Sequence, residues 1–215
     1  MLELGSGFGR ITLALAPVSK RIVGLEKNKD LRLMAEKARE QCKQHEHVHF
    51  IAGDMRDFSL GQQFDRVIIP FNGLYCLCTE EEQRVCLSQA RKHLKPGGAL
   101  IFDIYAADEF HEEQLVSKTD RQADYDEWGL IAAIDVRSNS YDVWERSCHD
   151  VQAQTLNAEY RFLRSDDQQV VATSSIPQRY LRYSEIEPLL QSAGLRVHRI
   201  AHEFSPEQWV VIAGL

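Results

Sequence analysis

A carboxylate and three glycines near the start of the chain are the first residues whose types and spacing could do chemistry. Glu3 precedes Gly5, Gly7 and Gly9 in the segment ELGSGFG. Glycines at alternate positions let the backbone turn tightly and approach a ligand that any Cβ would push away, although tight turns also use glycine for purely structural reasons. The dinucleotide-binding fingerprint is G-x-G-x-x-G, and Arg10 stands where its third glycine would be, so the spacing disfavours a pyrophosphate-binding loop.

Two further carboxylates stand at the ends of apolar segments downstream. Glu26, followed by Lys27, closes the segment 21–25, and Asp54, followed by Met55, comes after the segment 48–52. In an open α/β sheet the first acid would accept hydrogen bonds from ribose hydroxyls. The second could accept one from an adenine amino group while the methionine packs on the ring. The alternatives are a solvated glutamate and a turn aspartate. Because these sites would meet the glycine turn at the ligand-binding edge of one sheet, the set favours a bound ligand.

The elements that would position these groups alternate between strands and helices. Apolar runs predict strands, and the i, i+3, i+4 spacing predicts helices with caps at Asn28, Thr79 and Ser184. Continuous apolar strands separated by helices indicate a parallel sheet covered on both faces, so the predicted fold class is α/β and doubly wound. The predicted strands are 2–4, 21–25, 48–52, 64–69, 99–105, 195–200 and 208–213; the predicted helices are 11–16, 28–42, 79–94 and 184–194.

The segment 129–173 breaks this alternation. Its runs alternate between apolar and polar residues and are separated by polar turns, which predicts a small antiparallel β insertion after the fifth strand. Asn157, Glu159 and Arg161 would share its polar face. We expect residues 1–215 to form a single domain carrying this insertion. Two functions for the insertion stay open, a lid that recognises an acceptor and a flap that pairs with a second copy of the chain.

Composition narrows the function classes. The 215 residues carry 25 basic and 32 acidic side chains, a net charge of −7, which argues against nucleic acid as a partner. No apolar run approaches the roughly 18–20 residues of a membrane span, and the first residues lack the pattern of a secretory signal, so we expect a cytoplasmic protein without a membrane partner. Five unpaired cysteines fit reduced thiols. The alternating His45, His47 and His49 are predicted to be exposed, and no metal is expected.

Taken together and in order, five motifs resemble those of the class I S-adenosylmethionine-dependent methyltransferases. They are ELGSGFG, the strand-terminal Glu26, AGDMRDF, FDRVIIPFN and HLKPGGALIFD. The resemblance covers residues 2 to about 104, and RYSEIEPLLQSAGLRV with the final strand pair is similar to the C-terminal elements of that family. It implies a Rossmann-like seven-stranded sheet whose last strand runs antiparallel, with S-adenosylmethionine as cofactor.

The resemblance also implies roles for individual residues. Glu3 and the glycine turn would hold the amino-acid part of the cofactor, Glu26 the ribose, and Asp54 with Met55 the adenine, while the segment 70–72 would lie between cofactor and acceptor. The expected cofactor-binding residues are Glu3, Gly5, Ser6, Gly7, Gly9, Glu26, Lys27, Asp54, Met55 and Pro70.

The acceptor is less constrained. The run Ile69-Pro70-Phe71-Asn72 disfavours the DNA amino-methylating members of the family, and the antiparallel insertion is similar to that of small-molecule N-methylating members. No catalytic residue is predicted, because a sulfonium is already activated and positioning of the acceptor can supply most of the catalysis. Asn72, Tyr75, Trp144 and Arg179 are candidate substrate-binding residues, each with the alternative of a core or surface role.

The predicted function is methyl transfer to a nitrogen or oxygen atom of a small molecule. One alternative is an NAD(P)-dependent oxidoreductase, which the glycine spacing and the Asp54-Met55 pair disfavour. Another is a non-catalytic S-adenosylmethionine-binding module, because the motifs begin at position 2. Family members carry a preceding segment that helps cover the site, so we expect either a shortened member or a sequence without its natural N-terminus.

Overall fold

The structure, a computed structural model, describes residues 1–41, 46–117, 127–205 and 207–215. Its contacts divide the chain into two compact units, one of Met1–Ala106 with Tyr183–Leu215 and the other of Ala107–Arg182. That the whole chain acts as one domain with an insertion stays a prediction. The elements in chain order are β1 (Leu2–Leu4), α1 (Arg10–Leu15), β2 (Ile22–Glu26), α2 (Lys29–Gln41), β3 (Val48–Ala52), β4 (Phe64–Ile69), α3 (Glu80–Lys92), β5 (Leu94–Tyr105), α4 (Asp108–Ser117), β6 (Gly129–Val136), β7 (Asn139–Asp150), β8 (Thr155–Arg164), β9 (Val170–Arg179), α5 (Tyr183–Ser192), β10 (Arg196–Ser205) and β11 (Gln208–Gly214).

The first unit is built on a seven-stranded sheet with the order β10-β11-β5-β4-β1-β2-β3. Strands β1 to β5 pair in parallel, and β11 runs antiparallel to both β5 and β10. Every residue of β1 and β2 is buried, as expected of parallel strands covered on both faces. The predicted fold class, a mostly parallel doubly wound sheet with one antiparallel strand, is confirmed. The carboxyl ends of β1, β2, β3 and β4 therefore meet at one edge.

Helix starts follow the predicted caps at two of three positions. The Asn28 side chain accepts hydrogen bonds from the backbone amides of Asp30 (2.8 Å) and Leu31 (3.1 Å), and the Thr79 hydroxyl accepts one from Glu82 (3.1 Å). Each satisfies amides that the first turn of a helix leaves unpaired. Helix α5 begins at Tyr183, one residue before the predicted cap. Within the described ranges no helix combines the length and apolar composition that a bilayer crossing requires.

Strand β5 begins five residues before the predicted position. It includes the segment Pro96-Gly97-Gly98, which reads in the sequence as a turn. The pairing of β4 with β5 shifts register between the partners of Phe64 and Arg66, and Gly97 has φ +73° within the irregular stretch. A bulge of this kind accommodates turn-forming residues without ending the strand. Helix α4 is absent from the predicted elements, because its apolar residues do not repeat at helical spacing.

The second unit contains the predicted antiparallel sheet, a meander in the order β6-β7-β8-β9. Its last strand continues to Arg179, six residues past the predicted end of the insertion at Thr173. The small polar residues and Pro177 in this stretch are not typical of a strand, so the sequence does not predict its last part. Because β9 lies at an edge of the sheet, a proline is tolerated there.

Candidate functional site

The glycine turn after β1 is folded in a way that few other residues permit. Gly5 and Gly7 have φ +72° and +55°, and the backbone amides of Gly5 and Ser6 donate to the Leu25 carbonyl at 2.9 and 3.0 Å. A Cβ added at Gly5 or Gly7 would meet no atom within 4 Å. The space beside these two glycines is therefore open, and a ligand can approach their backbone closely.

Gly9 has a different surrounding. A Cβ there would stand 2.6 Å from Cζ of Phe50 and 3.0 Å from Cβ of Ala35. Both are members of the core cluster between the sheet and the helices that cover it. The missing side chain at this position therefore makes room for Phe50, and a direct contact of Gly9 with a cofactor stays a prediction.

Glu26 ends β2 and is fixed by two backbone amides. Its Oε2 accepts a hydrogen bond from Gly7 at 2.7 Å, and its Oε1 accepts one from Asn28 at 2.7 Å. The residue is only 9% exposed. A carboxylate has about four lone-pair positions, so two remain for further donors. Glu26 thus holds the glycine turn in place and presents an oriented acceptor at the edge of the sheet.

Asp54 has more partners than the sequence predicts. Its carboxylate accepts hydrogen bonds from the backbone amide of Arg56 (3.0 Å), from Nε and Nη2 of the same guanidinium (2.9 and 2.6 Å) and from Nζ of Lys27 (2.9 Å). The Arg56 guanidinium, with help from Lys27, holds the pKa of this carboxyl well below its usual range. An adenine amino group could bind Asp54 only by replacing one of these donors. Lys27 is the easiest to replace, because its side chain is 70% exposed and such ion pairs contribute little.

Arg56 also forms an ion pair with Glu82 in the first turn of α3. The end of β3 is therefore tied to the start of α3 through a single guanidinium. The sequence predicts a capping box of Thr79 and Glu82 at the start of this helix, and it predicts no part in the site for Arg56 or Glu82. These two residues are 26 positions apart in the sequence, and no spacing rule reveals that they pair.

Two cavities adjoin the glycine turn and share Gly5 and Gly7. The first, of about 390 Å³, is lined mainly by residues that follow β2 and β3, and the second, of about 470 Å³, lies between the turn and the end of β4. All the predicted cofactor residues except Gly9 line one or the other. The first cavity is lined by Gly5, Gly7, Leu25, Glu26, Lys27, Leu31, Gly53, Asp54, Met55, Arg56, Gly73, Cys76 and Leu77; the second is lined by Glu3, Gly5, Ser6, Gly7, Phe8, Arg10, Ile11, Pro70 and Phe71.

Glu3 is a buried carboxyl group on the wall of the second cavity. It is 2% exposed, and the Thr12 hydroxyl donates a hydrogen bond to it. Burial raises the pKa of Glu3 to about 7, an effect that the Thr12 hydrogen bond and the charge of Arg10 oppose. A group with this pKa changes charge near neutral pH inside a candidate ligand cavity, which is a common property of binding sites.

The segment after β4 contributes Pro70 and Phe71 to the lining of the same cavity. Phe71 and Asn72 adopt left-handed backbone conformations, with φ +62° and +56°. The Phe71 amide donates to Oδ1 of Asp103 at 2.7 Å, and the exposed Phe71 ring carries the Arg10 guanidinium at 4.8 Å from its centroid. Oδ1 of Asn72 is buried, and no hydrogen-bond donor reaches it from the described part of the chain. Asn72 lines neither cavity, so its contact with a substrate stays a prediction.

The other three candidate substrate residues differ in their surroundings. Tyr75 is fully buried, and its hydroxyl donates to the carbonyl of Tyr105 at 3.1 Å, which is a contact of the protein core. Trp144 and Arg179 belong to the second unit, where the first is half-buried and the second is buried. Their contact with a substrate stays a prediction.

Metal ligation has no support in the part of the chain that the structure describes. No group of three or more His, Cys, Asp or Glu side chains within residues 1–41, 46–117, 127–205 and 207–215 is placed to hold an ion. Nε2 of His47 lies 2.9 Å from the Ala16 carbonyl. Cys42 and His45 lie outside the described residues.

Comparisons with known proteins agree with this geometry. Residues 1–98 match the family model described as a methyltransferase domain. The chain is 25% identical over 215 residues to YqeM of Bacillus subtilis (strain 168), which is named as a methyltransferase. The match covers 95% of this chain and 76% of YqeM. It is 33% identical over 110 residues to the cypemycin N-terminal methyltransferase of a Streptomyces species, covering 51% of this chain and 43% of that enzyme.

The fold is likewise shared with a solved structure. The CcbJ methyltransferase from Streptomyces caelestis superposes with a TM-score of 0.81 at 24% identity, over 99% of this chain and 82% of that one. The seven-stranded sheet with its antiparallel last strand agrees with this likeness in fold. Together these matches support the class I S-adenosylmethionine-dependent methyltransferase family for this chain.

Proposed function

We propose that this enzyme transfers the methyl group of S-adenosylmethionine to a nitrogen or oxygen atom of a small-molecule acceptor. The observation that carries the proposal is the pair of cavities that share Gly5 and Gly7 at the carboxyl edge of the sheet. The named activity of the cypemycin relative, an N-terminal methyltransferase, favours an amine nitrogen as the acceptor atom.

The two cavities would each hold one half of the cofactor. Glu26 would accept hydrogen bonds from the ribose hydroxyls, with Met55 and Leu31 packing on the adenine in the first cavity. Glu3 would hold the ammonium group in the second cavity, where Pro70 forms part of the wall. A buried carboxylate facing a cationic group is a strong, charge-assisted contact.

The chain's own contribution to the chemistry is positioning. When bound, the cofactor supplies an activated methyl group and its own leaving group. The protein must hold the acceptor atom in line with that group and exclude water, and orientation of this kind can account for several kcal/mol of a barrier. Asn72, with its buried and unpaired carbonyl oxygen, is proposed to bind an N–H or O–H of the acceptor. The small antiparallel sheet is proposed to recognise the acceptor, and the alternative of pairing with a second copy stays open.

Calorimetric titration tests the cofactor half of the proposal. We expect S-adenosylmethionine and S-adenosylhomocysteine to bind with one site per chain, and NAD to give no heat of binding, because no pyrophosphate-binding glycine follows Gly7 at the required spacing. Incubation with methyl-labelled cofactor and matched amino and hydroxyl sugars then tests the acceptor atom. Binding of NAD in preference to S-adenosylhomocysteine would contradict the proposal.

The Glu3 carboxyl predicts a pH dependence with a defined sign. Its pKa in the folded protein, about 7, lies above the ordinary value of 4.5, so the folded state holds an extra proton between these values. Stability should therefore fall as pH rises through this window, by up to about 3 kcal/mol. The affinity for S-adenosylhomocysteine should change oppositely, rising roughly tenfold from pH 6 to pH 8, because the ionised form attracts the ligand's ammonium group.

Glu3→Gln is the variant that isolates this effect. The amide keeps the side-chain volume and can still accept from the Thr12 hydroxyl, but it does not ionise. We expect a flat affinity profile between pH 6 and 8 in calorimetry, and a higher melting temperature than the wild type at pH 8. An unchanged pH profile in this variant would show that another group causes the dependence.

A further inference from the structure

One face of the small antiparallel sheet combines two arginines with two tryptophans. The Arg161 guanidinium carbon lies 3.9 Å from the centroid of the Trp128 ring, and that of Arg146 lies 4.9 Å from the same centroid. Trp144 pairs directly with Arg161 across β7 and β8, so the two side chains share this face. We call the surface formed by Trp128, Trp144, Arg146, Glu159 and Arg161 the Trp128 face.

The two arginines of this face differ in their charge balance. Arg146 is opposed by Glu159, with Nε to Oε2 at 3.1 Å, and the other carboxylate oxygen of Glu159 accepts from Asn157 at 3.2 Å. Arg161 makes no ion pair or hydrogen bond with any residue in the described ranges, and its side chain is exposed. Its guanidinium carbon lies over the indole ring, and no described residue accepts from its five N–H donors. Among the described residues, the Trp128 face therefore carries one cation without an ionic partner, placed over the Trp128 ring.

Trp144, which pairs with Arg161, carries a second donor without an acceptor among the described residues. Nε1 of Trp144 is buried and has no hydrogen-bond partner among the described residues. A buried N–H without an acceptor costs about 1–3 kcal/mol, so such a group requires a reason. An acceptor oxygen brought by a ligand would satisfy Trp144 and the edge of Arg161 together, because the two residues are directly opposite each other on neighbouring strands.

We propose that the Trp128 face binds an oxyanion of the acceptor, a phosphate or a carboxylate group. The planar fork of arginine matches both groups, and stacking on an indole fixes its orientation. The chain as a whole carries a net charge of −7, so a general attraction for anions does not account for such binding. The inference rests on the proposed function in one respect, that the oxyanion belongs to the methyl acceptor. Binding of the oxyanion itself needs no cofactor.

Nuclear magnetic resonance of the tryptophan indole N–H groups in the full chain tests the proposal. The chain has three tryptophans, and Trp209 lies in β11 of the other unit, so it provides an internal reference. Inorganic pyrophosphate and succinate are the two probes, titrated at constant ionic strength. We expect one of them to shift the Trp128 and Trp144 resonances with saturation while Trp209 stays unchanged; the probe that saturates identifies phosphate or carboxylate as the preferred group.

Two variants of the same strand make the test specific. Arg161→Gln should weaken probe binding at least tenfold, because it removes the cation and the stacked fork. Arg164→Gln is the matched control, since Arg164 lies on the opposite face of β8 and is ion-paired with Asp167, and it should leave binding unchanged. Equal losses in the two variants, or no saturable shift with either probe, would overturn the proposal.

S-adenosylhomocysteine titrated into the same samples separates the two levels of inference. Cofactor binding with no oxyanion binding at Trp128 would refute this inference alone and leave the proposed function in place. Oxyanion binding without cofactor binding would refute the proposed function and leave the oxyanion site without an assigned reaction.

Discussion

Gly7→Val should abolish cofactor binding while the protein remains folded. A valine Cβ at this position would meet no protein atom within 4 Å, so the side chain would extend into the space shared by the two cavities. The backbone there has φ +55°, which adds about 1–2 kcal/mol of strain for a residue with a Cβ. We expect the affinity for S-adenosylhomocysteine in calorimetry to fall more than about 100-fold, with an unchanged far-ultraviolet circular dichroism spectrum.

Gly61→Val is the matched control for that experiment. Gly61 has φ +61° and an equally open surrounding, but it lies in a turn before β4 and lines neither cofactor cavity. The control therefore introduces the same strain without occupying the ligand space. If both variants lost binding to the same extent, or if Gly7→Val unfolded, the glycine would have a structural role and the steric account would be wrong.

Glu26→Gln should have the second-largest effect, a loss of about 10- to 100-fold in affinity for S-adenosylhomocysteine, corresponding to 1–3 kcal/mol. In the wild type two carboxylate oxygens accept from the amides of Gly7 and Asn28. An amide side chain has only one oxygen, so one backbone N–H would face an NH₂ group. The glycine turn would lose its support at the same time as the ribose loses an acceptor.

Glu36→Gln, on the adjacent helix α2, provides the comparison. Glu36 is ion-paired with Arg39 in a half-buried position on that helix, and its substitution should change affinity by less than twofold, because Glu36 lines neither cavity. Calorimetry at pH 7.5 would measure both variants. Unchanged affinity in Glu26→Gln would remove the ribose assignment.

The parts of the fold that the sequence predicts well are the parallel strands. The bounds of β1, β3 and β4 agree with the predicted segments 2–4, 48–52 and 64–69. Of these three strands β1 is buried throughout, whereas β3 and β4 include partly or fully exposed residues such as His49 and Asp65. The predicted start of β5 and the predicted end of the insertion at Thr173 are wrong, for different reasons. A bulge carries turn-forming residues inside β5, and an edge position lets β9 keep polar residues and a proline.

In the site, the sequence predicts where the carboxylates lie but not which side chains they bind. Position at the end of a strand was enough to place Glu26 and Asp54 beside the glycine turn. The sequence does not predict the donors that surround Asp54. Arg56 pairs with both Asp54 and Glu82, and this depends on the directions that the side chains take after β3 and at the start of α3. Sequence periodicity reports which face a residue occupies, and it carries no information on which of several neighbours a long side chain selects.

The antiparallel course of β11 determines where the chain can be joined to something else. Gln208 pairs with Tyr105 at the carboxyl end of β5, and Gly214 pairs with Ala99 near its other end. Leu215 therefore lies at the sheet edge opposite the glycine turn, about 20 Å away along the strand direction. A fluorescent partner or a surface anchor attached after Leu215 would therefore be joined at the end of the sheet away from both cavities. Immobilised-protein binding assays can therefore use this end of the chain.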